Sequence, residues 1–309
     1  MGWTLKDIPD QTGRVALVTG ANSGLGLETS RALLQKGATV LMACRSQRKS
    51  EAARRDLLDN GTTGVDLLDL DLSDLKSVER CSNVVQERYG RLDLLLNNAG
   101  LMAPPRRLSV QGFEMQFAVN HLGHMALTQQ LLPLMEGRQD ARVVTVTSGA
   151  QYFGKMEWSD LQGEQRYDRW SAYCQSKLAN VMFALELNQR LQQQNSTVIS
   201  LAAHPGLART NLQPVSVAAT GAWQESLAYR IIDPLFQSAE MGALPQLHAA
   251  TASSVTGGEH FGPGGFASMR GMPTLQPVAR TARDAEQRER LWTTSEDMIE
   301  SKTSKVKSP

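Results

Sequence analysis

The chain has few cysteines, and their positions exclude two common uses of the residue. Only three occur among 309 residues, and Cys44, Cys81 and Cys174 form neither a CxxC pair nor a zinc-like spacing. Sparse thiols suit a reducing compartment better than a disulfide framework. His121 and His124 are three residues apart but have no acidic residue beside them. We therefore predict no metal site.

The sequence also lacks an excess of charge and a long apolar run. Its formal net charge is +1 with acids and bases interspersed, whereas a nucleic-acid binder would normally show a basic stripe. No run approaches the roughly 18 apolar residues of a membrane span. The N-terminus has no apolar signal core, and Lys6 stands where myristoylation of Gly2 needs Ser or Thr. We expect a cytoplasmic protein without a membrane span or a nucleic-acid partner.

Apolar strand-like runs alternate with helix-like stretches along most of the chain. Strands are predicted at 14–19, 38–43, 65–72, 92–96, 142–147 and 197–202, and helices at 25–36, 47–59, 75–89, 113–135 and 172–193. Such alternation is typical of βαβ units and a parallel sheet covered on both faces. The predicted fold class is α/β, a single-domain Rossmann-type doubly wound parallel sheet, with ligands beyond the carboxyl ends of the strands.

One catalytic domain is predicted over residues 1–300. Its core motifs occupy 14–210, and 211–241 would form a substrate lid of short helices. A terminal helix over 286–299 would be anchored by Leu291 and Trp292. The small, polar and basic residues 301–309 are predicted to form a disordered tail.

A glycine-rich turn joins the first predicted strand to the first helix. It reads Thr19-Gly20-Ala21-Asn22-Ser23-Gly24-Leu25-Gly26. Glycines there allow a sharp turn and a close approach to a pyrophosphate, which would sit on N–H groups at the helix N-terminus. A glycine triplet alone could be only a tight turn, but its place in a βαβ series favours dinucleotide binding.

The end of the second strand favours NADP(H) over NAD(H). An acid there would bind the ribose hydroxyls and repel a 2′-phosphate, but this chain has Cys44-Arg45-Ser46, with Arg48 close behind and no acid before Glu51. A guanidinium suits a phosphate dianion, although Arg45 could also be a solvated surface charge.

The third strand ends in Asp71-Leu72-Ser73. Asp71 could accept a hydrogen bond from the adenine amino group while Leu72 packs on the ring edge. An equally good interpretation is that Ser73 or Asp74 simply caps the next helix.

Tyr173 and Lys177 are four residues apart, so both lie on one face of a predicted helix. A free tyrosine has a pKa near ~10, and a neighbouring ammonium lowers it toward the range useful for proton transfer. A surface tyrosine beside a lysine is the alternative. A catalytic site is favoured over this alternative, because further polar residues follow other predicted strands at the same edge of the sheet. These are Asn97-Asn98-Ala99-Gly100, Asn120 in the next helix, Ser148, and His204-Pro205-Gly206 with Thr210 beyond.

Together these motifs resemble, in order, those of the short-chain dehydrogenase/reductase family. The long interval between Ser148 and Tyr173 and the run Ala172-Tyr173-Cys174-Gln175-Ser176-Lys177-Leu178-Ala179-Asn180 resemble its retinol dehydrogenase and protochlorophyllide reductase branch. Vertebrate retinol dehydrogenases usually carry an N-terminal membrane anchor, which this sequence is expected to lack.

The resemblance implies a catalytic tetrad and an NADP(H)-dependent interconversion of a carbonyl and an alcohol. Tyr173 would transfer the proton, Ser148 would hold the substrate oxygen, Lys177 would bind the nicotinamide ribose, and Asn120 would hold a relay water. The cofactor would also contact the loop from Pro205 to Thr210. A non-catalytic redox sensor and an NAD(H)-preferring dehydrogenase are the alternatives, and relatives leave a homo-oligomer open.

The expected substrate is a hydrophobic carbonyl or alcohol, because aromatic side chains occur in both irregular segments. Tyr152, Phe153, Met156 and Trp158 follow Ser148, and Trp223, Tyr229 and Phe236 lie in the predicted lid. We expect both segments to overhang the nicotinamide, although these side chains could instead only anchor them. An apolar pocket with a few polar groups is typical of small-molecule sites.

Overall fold

The structure, a computed structural model, describes residues 2–208 and 236–303. Its strands, in chain order, are β1 (Val15–Thr19), β2 (Thr39–Cys44), β3 (Val65–Asp69), β4 (Leu94–Asn97), β5 (Arg142–Val146), β6 (Ile199–Ala203), β7 (His260–Pro263) and β8 (Pro273–Leu275). Within the described residues they form one sheet in the order β3-β2-β1-β4-β5-β6-β7-β8. Every neighbouring pair is parallel except β7 and β8, which are antiparallel.

Helices cover both faces of this sheet. They are α1 (Gly24–Gln35), α2 (Gln47–Asp59), α3 (Leu75–Tyr89), α4 (Met115–Phe117), α5 (Gly123–Leu131), α6 (Arg169–Gln193), α7 (Ala239–Thr251) and α8 (Ala285–Thr303). A π-helical turn, Ala118–Leu122, joins α4 to α5. The predicted α/β doubly wound fold is confirmed.

The apolar residues of the central strands divide between two cores. Leu95 of β4 packs with α3, α5 and α6 on one face. Its neighbours Leu94 and Leu96 pack on the other face, with α1 and α7. Successive strand side chains point to opposite faces, so a strand buried on both sides needs a continuous apolar run. This burial explains why the central strands were recognisable from sequence.

Strand order places the expected ligand-binding crevice near the middle of the sheet, at the carboxyl ends of β1 and β4. The chain runs outward from β1 through β2 to β3 and then returns past β1 to β4. The connections that leave β1 and β4 therefore diverge at their carboxyl ends, and this divergence opens the crevice in which doubly wound sheets bind ligands.

Most predicted element bounds differ from the structure by a few residues, such as β3, which ends at Asp69 instead of residue 72. Three differences are larger or concern the site. The helix predicted over 113–135 is interrupted by the π-helical turn. The terminal helix α8 continues through Thr303, three residues into the segment predicted as a tail. Most of the predicted lid, with Trp223 and Tyr229, lies outside the described residues, and α7 begins at Ala239 inside its last part.

Three elements near the C-terminus were not predicted. The helix α7 contains Pro245, which ordinarily disfavours a helix interior. The strands β7 and β8 span four and three residues and contain Gly262, Pro263 and Pro273. Short strands with glycine and proline give no periodic signal, so their formation depends on the sheet edge beside them.

Candidate active site

The glycine turn after β1 is packed too closely for larger residues. Gly20 has φ +66°, a left-handed conformation that favours glycine. A Cβ on Gly26 would lie 2.5 Å from the carbonyl oxygen of Gly20 and 2.6 Å from Nδ2 of Asn98. Ser23 at the N-cap of α1 makes no side-chain capping bond, so the first amides of α1 can face an anion. This geometry fits a bound pyrophosphate.

The same turn lines an open cleft of about 310 Å³ along the carboxyl edge of the sheet. The lining comes from the turns after four strands and from the π-helical turn. Its members are Gly20, Asn22, Ser23, Gly24, Leu25, Gly26, Ala43, Cys44, Arg45, Ser46, Lys49, Leu70, Asp71, Leu72, Asn98, Ala99, Gly100, Leu101 and Val119. Most residues predicted to contact the cofactor are thus brought together in one place.

A positive pair lies at the β2 end of this cleft. Arg45 has an exposed side chain whose guanidinium is 3.9 Å from the Asp71 carboxylate. Lys49, on the first turns of α2, also lines the cleft, whereas Arg48 does not. Sequence reasoning missed Lys49, and only the rotation of α2 identifies which cation faces inward. The pair can hold a phosphate through charge-assisted hydrogen bonds.

Asp71 and Asp74 have separate structural roles. Asp71 lines the cleft and accepts hydrogen bonds from the amide and hydroxyl of Ser73, at 2.9 and 2.7 Å. Asp74 caps α3 by accepting from the amide of Lys76. Asp71 is therefore held at the cleft without being needed as a helix cap.

The turn after β4 is fixed by the hydroxyl of Thr19, the last residue of β1. Thr19 Oγ1 accepts hydrogen bonds from the backbone amides of Asn98 and Ala99, both at 2.9 Å. Asn98 Nδ2 donates to the carbonyl of Thr19 at 2.8 Å. The buried Asn97 side chain instead donates to Thr128 of α5, so it supports the turn without lining the cleft.

Asn120 lies in the π-helical turn and is fully buried. Its Oδ1 accepts from the amide of Leu101 at 2.7 Å, and its Nδ2 donates to the carbonyl of Leu101 and the hydroxyl of Ser176. These bonds hold the π-helical turn, α6 and the turn after β4 together at the inner end of the cleft.

Lys177 is buried beside Asn120 and Gly100, the glycine of the turn after β4. A Cβ on Gly100 would lie 3.3 Å from Asn120 Oδ1 and 3.4 Å from Lys177 Nζ. Lys177 Nζ donates to the carbonyl of Val146 at 3.2 Å. Burial lowers the pKa of Lys177 from 10.5 to about 8. A cation thus stands at the inner end of the cleft in a desolvated place where its charge acts strongly.

Tyr173 shares α6 with Lys177, and Ser148 follows β5, whose last residue accepts a hydrogen bond from Lys177. Tyr173 lies one turn before Lys177 on α6 and is nearly buried, with its ring edge-on to Trp170 at 6.3 Å between centroids. Ser148 follows β5 and begins the 3-10 turn Gly149–Phe153, where its hydroxyl accepts from the amide of Ala150. Thr147 connects the two elements by donating to the carbonyl of Lys177 at 2.6 Å.

The loop after β6 is described only in its first part. Gly206 has φ +64°, and a Cβ there would collide with the carbonyl of Met269. Pro205 is held by Gln237, whose Nε2 donates to its carbonyl at 2.7 Å. Thr210, predicted to contact the cofactor, lies outside the described residues.

The segment after Ser148 does not place all its apolar side chains over the cleft. Met156 is buried in the core between the sheet and α6. Trp158 packs toward α8, where its Nε1 donates to Gln287 and its ring lies 4.4 Å below the Arg290 guanidinium. For Met156 and Trp158 the structure therefore matches the alternative, in which the side chains anchor the segment to the domain. Phe153 is 84% exposed.

Two other kinds of feature are absent from the part of the chain that the structure describes. No group of three or more histidine, cysteine, aspartate or glutamate side chains is arranged there to hold a metal ion. Of the helices in residues 2–208 and 236–303, none combines the length and apolarity needed to cross a membrane.

Known proteins resemble this chain in both sequence and structure over most of its length. The sequence matches the family described as short chain dehydrogenase over residues 14–220. It is 39% identical to retinol dehydrogenase 12 of Homo sapiens over 290 residues, covering 93% of this chain and 86% of that protein. Retinol dehydrogenase 13 of Homo sapiens is 37% identical, with coverage of 93% and 85%. A crystal structure of an uncharacterized protein from Mycobacterium paratuberculosis is 40% identical, with a TM-score of 0.80 and coverage of 97% and 98%.

Proposed function

This chain belongs to the short-chain dehydrogenase family, in its retinol dehydrogenase branch, and on that premise we propose that it is an NADP(H)-dependent oxidoreductase that acts on a hydrophobic carbonyl or alcohol. One observation carries the assignment of the site. Gly100 lines the cleft and also lies against Asn120 and Lys177. The cleft therefore leads directly to the candidate catalytic side chains.

The glycine turn and the adjacent N-terminus of α1 would hold the pyrophosphate, and Lys177 would hold the nicotinamide ribose. The bound nicotinamide supplies or accepts the hydride. Ser148 would hydrogen-bond the substrate oxygen, and Tyr173 would give that oxygen a proton during reduction or remove it during oxidation. Lys177, one turn away, favours the tyrosinate by its positive charge. Asn120 fixes the turn against which these groups are assembled.

Replacement of the Tyr173 hydroxyl tests the assignment. Tyr173→Phe should keep the ring packing and NADPH binding but lose the transferable proton. Positioned acid–base catalysis typically contributes about 100- to 10,000-fold, so kcat should fall within that range. A substrate panel followed by NADPH absorbance measures this, and Tyr167→Phe is the matched control. Turnover within a few-fold of wild type would remove Tyr173 from the mechanism, and a wild type that binds NADPH without any turnover would favour the redox sensor.

The preference for NADP(H) rests on Arg45 and Lys49, the two cations that line the β2 end of the cleft. Arg45→Asp should weaken NADPH binding and spare or improve NADH binding, because the acid repels the 2′-phosphate and accepts ribose hydroxyls. A charge-assisted hydrogen bond contributes roughly 1.5–3 kcal/mol, so the affinity ratio should change more than tenfold.

Arg48→Asp is the matched control for this substitution. It introduces the same charge change three residues further along the chain, but Arg48 does not line the cleft. Titrations of both variants with NADPH and NADH should show a changed ratio only for Arg45→Asp. Equal effects of the two substitutions would make Arg45 a general surface charge.

A hydrophobic substrate is supported by two observations. Several curated relatives are named retinol dehydrogenases, and Trp170, partly exposed, presents an aromatic ring next to Tyr173. A series of straight-chain aldehydes tests the proposal. Catalytic efficiency should rise with length by up to about 0.8 kcal/mol per buried methylene. A flat series with good turnover of a short polar carbonyl would overturn it.

A further inference from the structure

His124 is a buried histidine on α5 that the proposed reaction does not use. Its exposed fraction is 1%, and both ring nitrogens have partners. Nδ1 is 3.1 Å from the backbone carbonyl oxygen of Asn120, and Nε2 is 2.9 Å from the hydroxyl of Thr19. The imidazole therefore lies between the catalytic side and the cofactor side of the cleft.

The chemistry of the partners determines the tautomer. A carbonyl oxygen can only accept, so Nδ1 must carry the proton that it donates to Asn120. Burial, together with the nearby charge of Lys177, lowers the pKa of His124 to about 4. The ring is thus neutral near pH 7, and its Nε2 must accept the proton of the Thr19 hydroxyl.

Thr19 connects His124 to the turn after β4 through hydrogen bonds. Its hydroxyl has another acceptor within reach, the carbonyl of Leu96 at 3.3 Å, but Nε2 of His124 is closer at 2.9 Å. When the hydroxyl proton points to His124, the oxygen lone pairs face the amides of Asn98 and Ala99, which donate to it at 2.9 Å. His124 therefore orients the group that fixes the turn lining the cofactor cleft.

Nδ1 of His124 contacts a backbone carbonyl within the π-helical turn. Asn120 belongs to the π-helical turn Ala118–Leu122, where the regular α-helical bonding pattern is broken. Nδ1 of His124 donates to the Asn120 backbone carbonyl there, beside the side chain that bonds Leu101 and Ser176.

We infer that His124 is a positioning residue that holds two parts of the proposed active site through two separate hydrogen bonds: the Asn98–Ala99 cofactor turn through Thr19, and the Asn120 turn through its backbone carbonyl. This inference rests on the proposed function. It predicts that the two contacts have separable effects, one on cofactor affinity and the other on turnover.

Two substitutions can separate the contacts because each amide reaches the place of one ring nitrogen. His124→Asn keeps a donor near the Nδ1 position but loses the contact with Thr19. It should weaken NADPH binding roughly tenfold while kcat at saturating NADPH stays within threefold. His124→Gln keeps an acceptor near the Nε2 position but loses the donor to Asn120. It should keep NADPH affinity within threefold and lower kcat roughly tenfold, since a lost hydrogen bond is worth up to about that factor.

Thr19 supplies an independent check. Thr19→Val should reproduce the affinity loss of His124→Asn, Thr19→Ser should restore affinity, and the double variant Thr19→Val/His124→Asn should bind NADPH no more weakly than Thr19→Val alone. Proportional losses of affinity and kcat in both His124 variants, or losses in neither, would overturn the inference. An inactive wild type would instead count against the proposed function.

The tautomer can be measured on the wild-type protein without a substitution. Nitrogen-15 NMR of the imidazole near pH 7 should show a proton on Nδ1 and none on Nε2. A proton on Nε2, or on both nitrogens, would contradict the arrangement even if every variant failed to fold.

Discussion

At the residue scale, Lys177 shows how burial changes the pKa of a functional side chain. Desolvation lowers its pKa to about 8 in the free protein, while a bound cofactor that uses its ammonium would raise that pKa again. Cofactor affinity should then be steady just below pH 8 and fall as pH rises above it, because binding must be accompanied by proton uptake. NADPH titrations between pH 7 and 10 measure this.

The control for the pH dependence is Lys177→Ala. Its affinity should be weaker than that of wild type throughout and show no inflection near pH 8. An inflection that survives in the variant would assign the titration to a different group and remove the ammonium from cofactor binding.

Helix α8 shows at the element scale how a terminal segment becomes part of the core. Trp292 is 7% exposed, stacks on Phe183 of α6 with 5.8 Å between centroids, and lies 4.4 Å below the Arg190 guanidinium. Glu186 of α6 also pairs with Arg288 at 3.4 Å. The helix therefore packs through a cluster of aromatic and charged side chains, which stabilises the face of α6 opposite the sheet.

Trp292→Ala should leave a cavity and reduce the free energy of unfolding by about 3 kcal/mol, the lower end of the range for such changes. Urea unfolding measures the loss. Thr293→Ala, on the exposed side of the same helix, should change stability by less than about 0.5 kcal/mol. Similar losses in both variants would mean that the loss is not specific to the Trp292 packing, because alanine is the better helix former at both positions.

Buried histidines give the whole molecule a pH-dependent stability. Four of them are almost fully buried, and burial lowers their pKa values to about 3 or 4: His121, His124, His204 and His260. In the unfolded chain a histidine titrates near ~6.5. Between about pH 6.5 and 4 the unfolded state therefore binds protons that the folded state does not. Stability should fall as pH falls through that window.

Each histidine can contribute up to about 1.4 kcal/mol per pH unit in that window. Urea midpoints at pH 7, 6 and 5 should decrease, and His121→Gln should have a slope smaller by about one proton. Equal stability at pH 7 and 5 would contradict the burial of neutral rings.

The sequence by itself determined the parallel framework and most of the cofactor cleft. Buried parallel strands need apolar runs such as that of β4. Gly20 has a left-handed φ, and Gly26 occupies a position where a Cβ would collide with backbone. These features are local, because backbone conformation and periodicity are properties of short segments. The same local reasoning predicts roles for Arg45, Tyr173 and Lys177.

Only the tertiary structure decided which side chains meet across distant segments. It shows Lys49 rather than Arg48 at the cleft, Met156 in the core, Trp158 against α8, and His124 between Thr19 and Asn120. Each of these outcomes depends on how helices rotate and pack against a sheet, and the sequence pattern of one helix does not specify that. A buried histidine is a polar residue without a local signal, and its role follows from its two hydrogen-bond partners.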